Sequence, residues 1–444
     1  MKFHQLVEKH QEEILATERY VWNHPETGFK EWETQKYLAK VFEDAGYELT
    51  YAGNIPGFYT DLDTGRPGPK ILIMGEMDAL GAPNHLECTN GNAHACGHNV
   101  QCAALVGTAL ALKEPGALDG LCGSIRLMAV PAEELIEIAY REGLRKDGVI
   151  KYLGGKVEFM HRGYMDGCDI SYMVHATVSE GADFFISQGS NGCMAKDMIF
   201  EGKASHAGGS PQNGINALYA ANMGLNAINA IRETFVDDEH VRVHPIMTDG
   251  GQTVNIIPSG ARLSSFVRGK TIESIKKTNK KVNRAIAGAA LSLGAKVKIV
   301  DRPGYSPLIN DLNLCKLAQE VAGECFGAER VDYHGRWGTG STDMGDLSAV
   351  MPSIHPHVAG CSGNSHGDNY LVTDPVKCCL GAATVQVAMA QRLLENDAAL
   401  AKYVIEHADL RYPSKEAFFA DIDQLMNDKD LVSYGENERI EITL

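Results

Sequence analysis

Three short apolar runs in the first part of the chain each end in side chains that bind metal ions. Lys70–Met74 (KILIM) runs into Glu76 and Asp78, Ser124–Val130 (SIRLMAV) stops at Pro131 and delivers Glu133 and Glu134, and Ile170–Val174 (ISYMV) delivers His175. Runs of this length read as buried strands, and the strongly apolar Val100–Lys113 between the first two reads as a helix. Strands alternating with helices imply an α/β sheet with parallel members. In an open sheet of that kind the carboxyl ends of the strands line one crevice, so groups far apart in sequence converge there.

With 444 residues, 44% of them apolar, the chain is long enough to bury more than one core. Residues 1–45 read as two helices separated by a turn at His24–Gly28. Near Gln188 the pattern changes to strand (Ala195–Gly202), helix (Asn213–Phe235), two strands (Val241–Thr248, Ala261–Arg268), helix (Ile272–Leu293) and strand (Ala295–Val300). This βαββαβ order is that of a ferredoxin-like domain, which cannot merge with a parallel sheet and is therefore an insertion. The expected organisation is a main domain over 1–187, an inserted domain over 188–303, and the second part of the main domain over 304–444, ending in helices. The fold class is α/β: a mixed, mostly parallel sheet with helices on both faces, plus the inserted domain.

A formal charge of -16 argues against nucleic acid and against an anionic membrane surface, both of which call for clustered Lys and Arg. No run of 18 apolar residues occurs, and residues 1–20 lack the apolar stretch of a signal peptide. Eleven irregularly spaced cysteines suit a reducing cytoplasm better than a disulfide framework. Small molecules are the expected partners.

Before the apolar helix stands His94-Ala95-Cys96-Gly97-His98-Asn99. Cys96 and His98 can reach one site from a turn that Gly97 keeps open, and such donors suit zinc and other first-row divalent ions. A Cys-x-His alone is a weak motif. The adjacent Glu133 and Glu134 repel each other unless positive charge sits beside them. Together with Cys96, His98 and His175, one of the two can bind metal while the other takes the proton of an attacking water.

These residues resemble a family. His24-Pro25-Glu26-Thr27-Gly28-Phe29 with Glu31 and Thr34, Met77-Asp78-Ala79-Leu80, Ala95-Cys96-Gly97-His98-Asn99, Pro131-Ala132-Glu133-Glu134, Ser205-His206-Ala207 and Val254-Asn255-Ile256-Ile257-Pro258 occur in the order seen in the dinuclear aminoacylase, carboxypeptidase and auxin-conjugate amidohydrolase superfamily. The resemblance is to the branch with hippurate, auxin-conjugate and aminobenzoyl-glutamate hydrolases, and it runs from about Trp22 to Arg392.

It implies hydrolysis of the amide bond of a small N-acyl amino acid or dipeptide by two divalent ions, manganese or zinc. Cys96, His98, Glu134, His175 and His366 would hold the ions, and Glu133 would be the general base. Asp78 would stand behind them, accepting a hydrogen bond from a ligand imidazole. The inserted domain would be a lid and dimerisation domain, carrying His206 to the active site of a neighbouring subunit in a homodimer. Asn255 and Arg268 fall at positions suited to substrate binding.

Asn99 stands where many of the branch have Asp, and Gly81–Asn92 is longer than in aminobenzoyl-glutamate relatives, so neither specificity transfers directly. Asp343 falls where the family often has Glu-Asp, and no role is assigned to it. The alternatives are an aminobenzoyl-glutamate-type hydrolase or a non-catalytic peptide-binding relative; the presence of both Glu133 and His206 argues against the second. Gly363-Asn364-Ser365-His366-Gly367 fits the nucleophile elbow of serine hydrolases, but the sequence after it leads to Pro375 rather than into a helix.

Overall fold

In the computed structural model, which describes residues 3–179, 181–333 and 335–444, the strands Lys70–Glu76 and Ser124–Val130 are buried at every position after the first. Continuous apolar runs need cover on both faces, and these two strands lie at the centre of a sheet. They pair in parallel, and Lys70–Glu76 pairs in parallel with Ile170–Tyr172, which pairs in turn with Ser353–Ile354. Antiparallel Phe58–Asp63 and Thr50–Tyr51 complete six strands. Helix His98–Lys113 is buried at nearly every residue and packs against this sheet and against helices Gln11–Asn23 and Gly381–Glu406. A helix apolar around its whole circumference needs such cover. The architecture is a mixed α/β fold.

Two segments leave this sheet for a second one. After Tyr172 the chain continues into His175–Val178, and after Ile354 it passes Pro356 into His357–Ser362; these pair in parallel with His175 opposite His357. Pro356 cannot donate to a ladder, and the stretch Ser353–Val358 divides there between two strands. His175, His355 and His357 therefore sit at the seam between the sheets.

The chain forms two compact units. The first comprises Met1–Gly189, Leu308–Trp337 and Thr342–Pro413; the second comprises Ser190–Pro307, Gly338–Ser341 and Ser414–Leu444. In the second unit, strands Gly192–Glu201, Arg242–Val243, Ile246–Asp249, Gly260–Gly269 and Lys296–Tyr305 form a sheet with helices Ala217–Ile231 and Ile272–Ser292. Gly260–Gly269 alternates buried and half-buried residues along its whole length, the pattern of a sheet with one face covered.

Here the chain departs from the expected boundaries. Lys296–Tyr305 runs past the expected end at Pro303, and the tail, read as helical and joined to the main domain, returns to the second unit. Its strand Asn427–Tyr434 pairs with Lys296–Tyr305 and is followed by Ile440–Ile442. The backbone of Lys296–Tyr305 would otherwise form a bare sheet edge, which the tail covers. No helix among the described residues is long and apolar enough to cross a membrane.

Candidate metal centre

The Cys96 turn is built around Gly97, whose φ of +85° favours glycine. A Cβ there would also lie 2.5 Å from the Tyr370 hydroxyl oxygen. Cys96 and His98 flank this glycine, and His98 opens the buried helix. Its Nδ1 donates to the Asp78 carbonyl at 2.8 Å, with Asp78 Oδ1 at 3.2 Å. That bond sets the tautomer and turns Nε2 towards the strand ends. His175 does likewise, with Nδ1 on the Ala176 carbonyl and Nε2 3.4 Å from Cys96 Sγ.

Glu133 and Glu134 follow a strained turn. Ala132 has φ +54°, a conformation that costs a non-glycine residue about 1–3 kcal/mol and persists only where the surroundings fix it. Its N–H donates to Glu31 Oε1 at 2.7 Å and its carbonyl accepts from Gly155 at 3.0 Å. The Glu134 N–H donates to Asp78 Oδ2 at 2.8 Å, and buried Arg141 donates to the Glu134 carbonyl. His366 also has positive φ, +61°, with its N–H on the Ala95 carbonyl at 2.9 Å. Its Nε2 lies 3.2 Å from Glu134 Oε1 and 3.3 Å from Cys96 Sγ.

The result is two donor groups that share one sulfur, Cys96–His98–His175 and Cys96–Glu134–His366, with the donor atoms in each group within 4.8 Å of one another. His98 Nε2 and Glu134 Oε1 are buried without a well-formed hydrogen bond, although Nε2 is 3.1 Å from Glu76 Oε2. Sulfur, imidazole and carboxylate donors gathered so closely fit divalent cations.

Residues 72–392 match the profile of peptidase family M20/M25/M40. The chain belongs to that family. The Xaa-Arg dipeptidase of Homo sapiens is 29% identical over 381 residues, 81% of this chain and 79% of its own. The N-acetyl-L-cysteine deacetylase of Bacillus subtilis (strain 168) is 27% identical over 331 residues, 70% of this chain and 72% of its own. Among solved structures, the Bacillus subtilis YXEP protein, described as a dinuclear metal binding peptidase from the M20 family, aligns with a TM-score of 0.65 at 19% identity over 88% of this chain and 98% of that one. As an M20-family member the chain is a metal-dependent hydrolase.

Glu133 falls outside the two donor groups that share Cys96 and lies in a third, with Glu76 and His98; its Oε2 stands 3.9 Å from His98 Nε2. Burial raises its pKa well above the usual carboxylate range, and the nearby charges of Glu76, Glu134 and Asp343 add to the effect. Burial and Glu134 likewise push the Cys96 thiol up. Burial opposes ionisation of Glu134 too, but its contact with His366 outweighs that and lowers its pKa.

Three residues behind this M20 centre carry charge that the sequence did not connect. The Lys156 ammonium, fully buried, bridges Glu76 and Asp343, and the Lys156 backbone N–H donates to Asp343 Oδ2 at 3.0 Å. Burial works against the charge on Glu76, yet Lys156 with His98 and His175 prevails and lowers its pKa to about 2. Asp343 thus has a structural partner. No motif surrounds Lys156 in the sequence. Glu31, part of the family-like opening pattern, gains its role only from its bond to Ala132.

The second unit holds the other sequence candidates. His206 Nδ1 accepts the N–H groups of Gly208 and Gly209 at 3.1 and 2.8 Å. The ring is exposed, and an accepting Nδ1 leaves the proton on Nε2, so the side chain offers a donor. Asn255 lies beside it through the Ala207 N–H to Asn255 carbonyl bond at 3.0 Å. Arg268 is not with them. It sits at the other end of Gly260–Gly269, opposite Cys193, with Nη1 donating to Ser341 Oγ at 2.8 Å. The elbow-like Gly363–Gly367 is followed by strand Leu371–Val372 rather than a helix, and its His366 belongs to the donor cluster.

Proposed function

We propose that this M20-family enzyme hydrolyses the amide bond of a small N-acyl amino acid or dipeptide, using two divalent ions, manganese or zinc, held by Cys96, His98, Glu134, His175 and His366. The observation that carries this reading is the pair of donor groups sharing Cys96, with Glu133 in an adjoining cluster that shares His98. Cations bound there supply Lewis acidity to the scissile carbonyl and lower the pKa of a water molecule. Glu133 takes the proton of the attacking water and passes it to the departing nitrogen. Its elevated proton affinity, set by burial and three carboxylates, is opposed by bound cations, a balance suited to a group that must gain and lose one proton per turnover.

His206, fixed as an Nε2 donor, suits stabilisation of the oxygen that gains charge as the carbonyl is attacked. It bridges to Ile256, just before strand Gly260–Gly269, whereas Arg268 lies near the far end of that strand, about 25 Å along it at a rise of ~3.3 Å per residue. A small substrate cannot meet both from one copy of that unit. This separation supports a homodimer in which the inserted domain acts as lid and dimerisation domain and lends His206, with Asn255, to the partner. Ile246–Asp249, exposed at all four residues, offers the kind of strand on which a second copy can pair. Arg268 is then left to bind the free carboxylate of the substrate. The eleven free thiols support a reducing, cytoplasmic location.

Glu133→Ala is expected to retain both ions and lose turnover by about 10²–10⁴-fold; full activity in that variant, or activity in wild type unaffected by a chelator, would refute the mechanism. A panel of N-acetyl, N-benzoyl, indole-acyl and aminobenzoyl amino acids with short dipeptides identifies the acyl group. Carboxyl-esterified versions are expected to be poor substrates, and equal rates for esters and free acids would remove the role given to Arg268.

A further inference from the structure

The Gly81–Asn92 segment lies outside the mechanism, yet His85 and Leu86 at its tip reach the His366 loop. Its base is closed by pairing of Leu80–Gly81 with Asn92–Ala93. At its tip the Leu86 N–H donates to the Asp368 carbonyl at 2.9 Å, two residues from His366. His85 is 4% exposed; its Nε2 lies 2.8 Å from the Tyr370 carbonyl and its Nδ1 accepts the Glu87 N–H at 3.1 Å. One nitrogen accepts, so the other donates, and both are satisfied. Trp22 holds the segment from behind, donating to Glu87 Oε2 at 2.7 Å, with its ring edge-on to His85 at 5.9 Å.

The loop being gripped needs support. His366 holds a left-handed backbone that a non-glycine residue keeps only when its neighbours impose it. It is also half exposed, 52% at the side chain, so packing does little to fix it. We infer that the Gly81–Asn92 segment is a strap that sets the affinity of the Cys96–Glu134–His366 group for its ion, with His85 as the positioning residue. His366 is the ligand the strap reaches, and it belongs to only one of the two donor groups. The Cys96–His98–His175 group rests on Asp78 and Ala176 instead. The strap therefore acts on one ion and leaves the other unchanged.

This inference rests on the two-ion reading above, and one experiment separates the two. The purified full chain is dialysed against zinc buffers of falling free concentration, and bound zinc per chain is measured for wild type, His85→Phe and His85→Gln. Wild type is expected to hold two ions; fewer than two would overturn both the two-ion reading and the strap. His85→Phe, which fills the space without a donor, is expected to release one ion at about 10–100-fold higher free zinc, as for other groups that orient a metal ligand, and to keep the other ion at the wild-type level. His85→Gln, which retains a donor for the Tyr370 carbonyl, is expected to recover most of that loss. Two ions held equally tightly in all three proteins, or both ions weakened together in His85→Phe, would overturn the strap alone. Should circular dichroism show His85→Phe unfolded, Leu86→Pro takes its place. The Leu86 side chain is 72% exposed, and that change removes the companion bond to Asp368, with the same one-ion loss expected and the same contrary results decisive.

Discussion

The carboxylate of Asp78 accepts the backbone N–H of Glu134 at 2.8 Å, while the Asp78 backbone carbonyl accepts the Nδ1–H of His98 at the same distance. One residue thus orients a donor in each of the two groups that meet at Cys96. Asp78→Ala keeps that carbonyl but removes the carboxylate from the Glu134 N–H and, through Oδ1 at 3.2 Å, from His98 Nδ1, so both ions are expected to be weakened, the one at Glu134 by about 10–100-fold and the one at His98 by less, in contrast to the one-ion effect expected at His85. Zinc-buffer dialysis of the two variants side by side checks this, and loss of a single ion in Asp78→Ala would contradict it.

Removing the buried ammonium between Glu76 and Asp343 leaves two carboxylates without their counter-charge. Lys156→Met is expected to destabilise the protein by about 3–5 kcal/mol. The Glu76 pKa is lowered from 4.5 to about 2 in the fold, so its contribution is complete above pH 4.5 and is lost as pH falls through 2. The Lys156 pKa is raised above 10.5, so its charge is constant across that range. Asp343, whose pKa burial raises to about 6, loses its charge first, so the gap in stability between wild type and Lys156→Met should be full at neutral pH, begin to narrow as pH falls through about 6 and go on narrowing towards 2, as read by urea unfolding at a series of pH values. A gap that widens in acid would reverse the assignment.

Gly97→Ala meets two obstacles. The left-handed backbone costs an alanine roughly 1–2 kcal/mol, and the added methyl lies 2.5 Å from the Tyr370 hydroxyl oxygen. Tyr370→Phe removes that oxygen, whose hydrogen-bond contact is with Cys361 Sγ at 3.0 Å. The double variant is expected to be more stable than the sum of the single changes predicts. Strict additivity in denaturant melts would show that the turn and Tyr370 do not constrain each other.

A mixing test addresses assembly. Glu133→Ala and His206→Ala chains, each nearly inactive alone, are expected to regain part of the activity when co-assembled, because one site of the mixed dimer then has an intact Glu133 and an intact His206 from the partner. No recovery in a verified heterodimer would assign His206 to its own subunit's site.

The centre was legible in the sequence to the extent that strand ends carry donor side chains. Lys70–Met74, Ser124–Val130 and Ile170–Val174 announce themselves by apolar runs, and the crevice rule predicts where Glu76, Asp78, Glu133, Glu134 and His175 meet. Lys156 was not legible, because a buried ammonium is defined by the carboxylates that surround it in space, and Glu76 and Asp343 are far from it in the chain. The terminal strand Asn427–Tyr434 (NDKDLVSY) was not legible either. It pairs through its backbone at the border of a sheet and buries only Leu431 and Val432, so its side chains leave no periodic signal. The break at Pro356 was visible as a residue, but its consequence, a change of sheet that sets His357 opposite His175, depends on a second sheet that no apolar run announces.

Cys96 gives both donor groups their sulfur, and this concentrates the chemistry of failure in one atom. Thiolate sulfur is the donor here that peroxide oxidises stepwise, and the sulfinic and sulfonic forms are not restored by ordinary thiols. If Cys96, His98, Glu134, His175 and His366 hold two ions as proposed, each imidazole and carboxylate serves one ion or the other, so damage to any of them would leave a half-loaded centre. On the two-ion reading, oxidation of the shared sulfur would take a ligand from both ions at once, so the loss of one donor atom would weaken the whole centre.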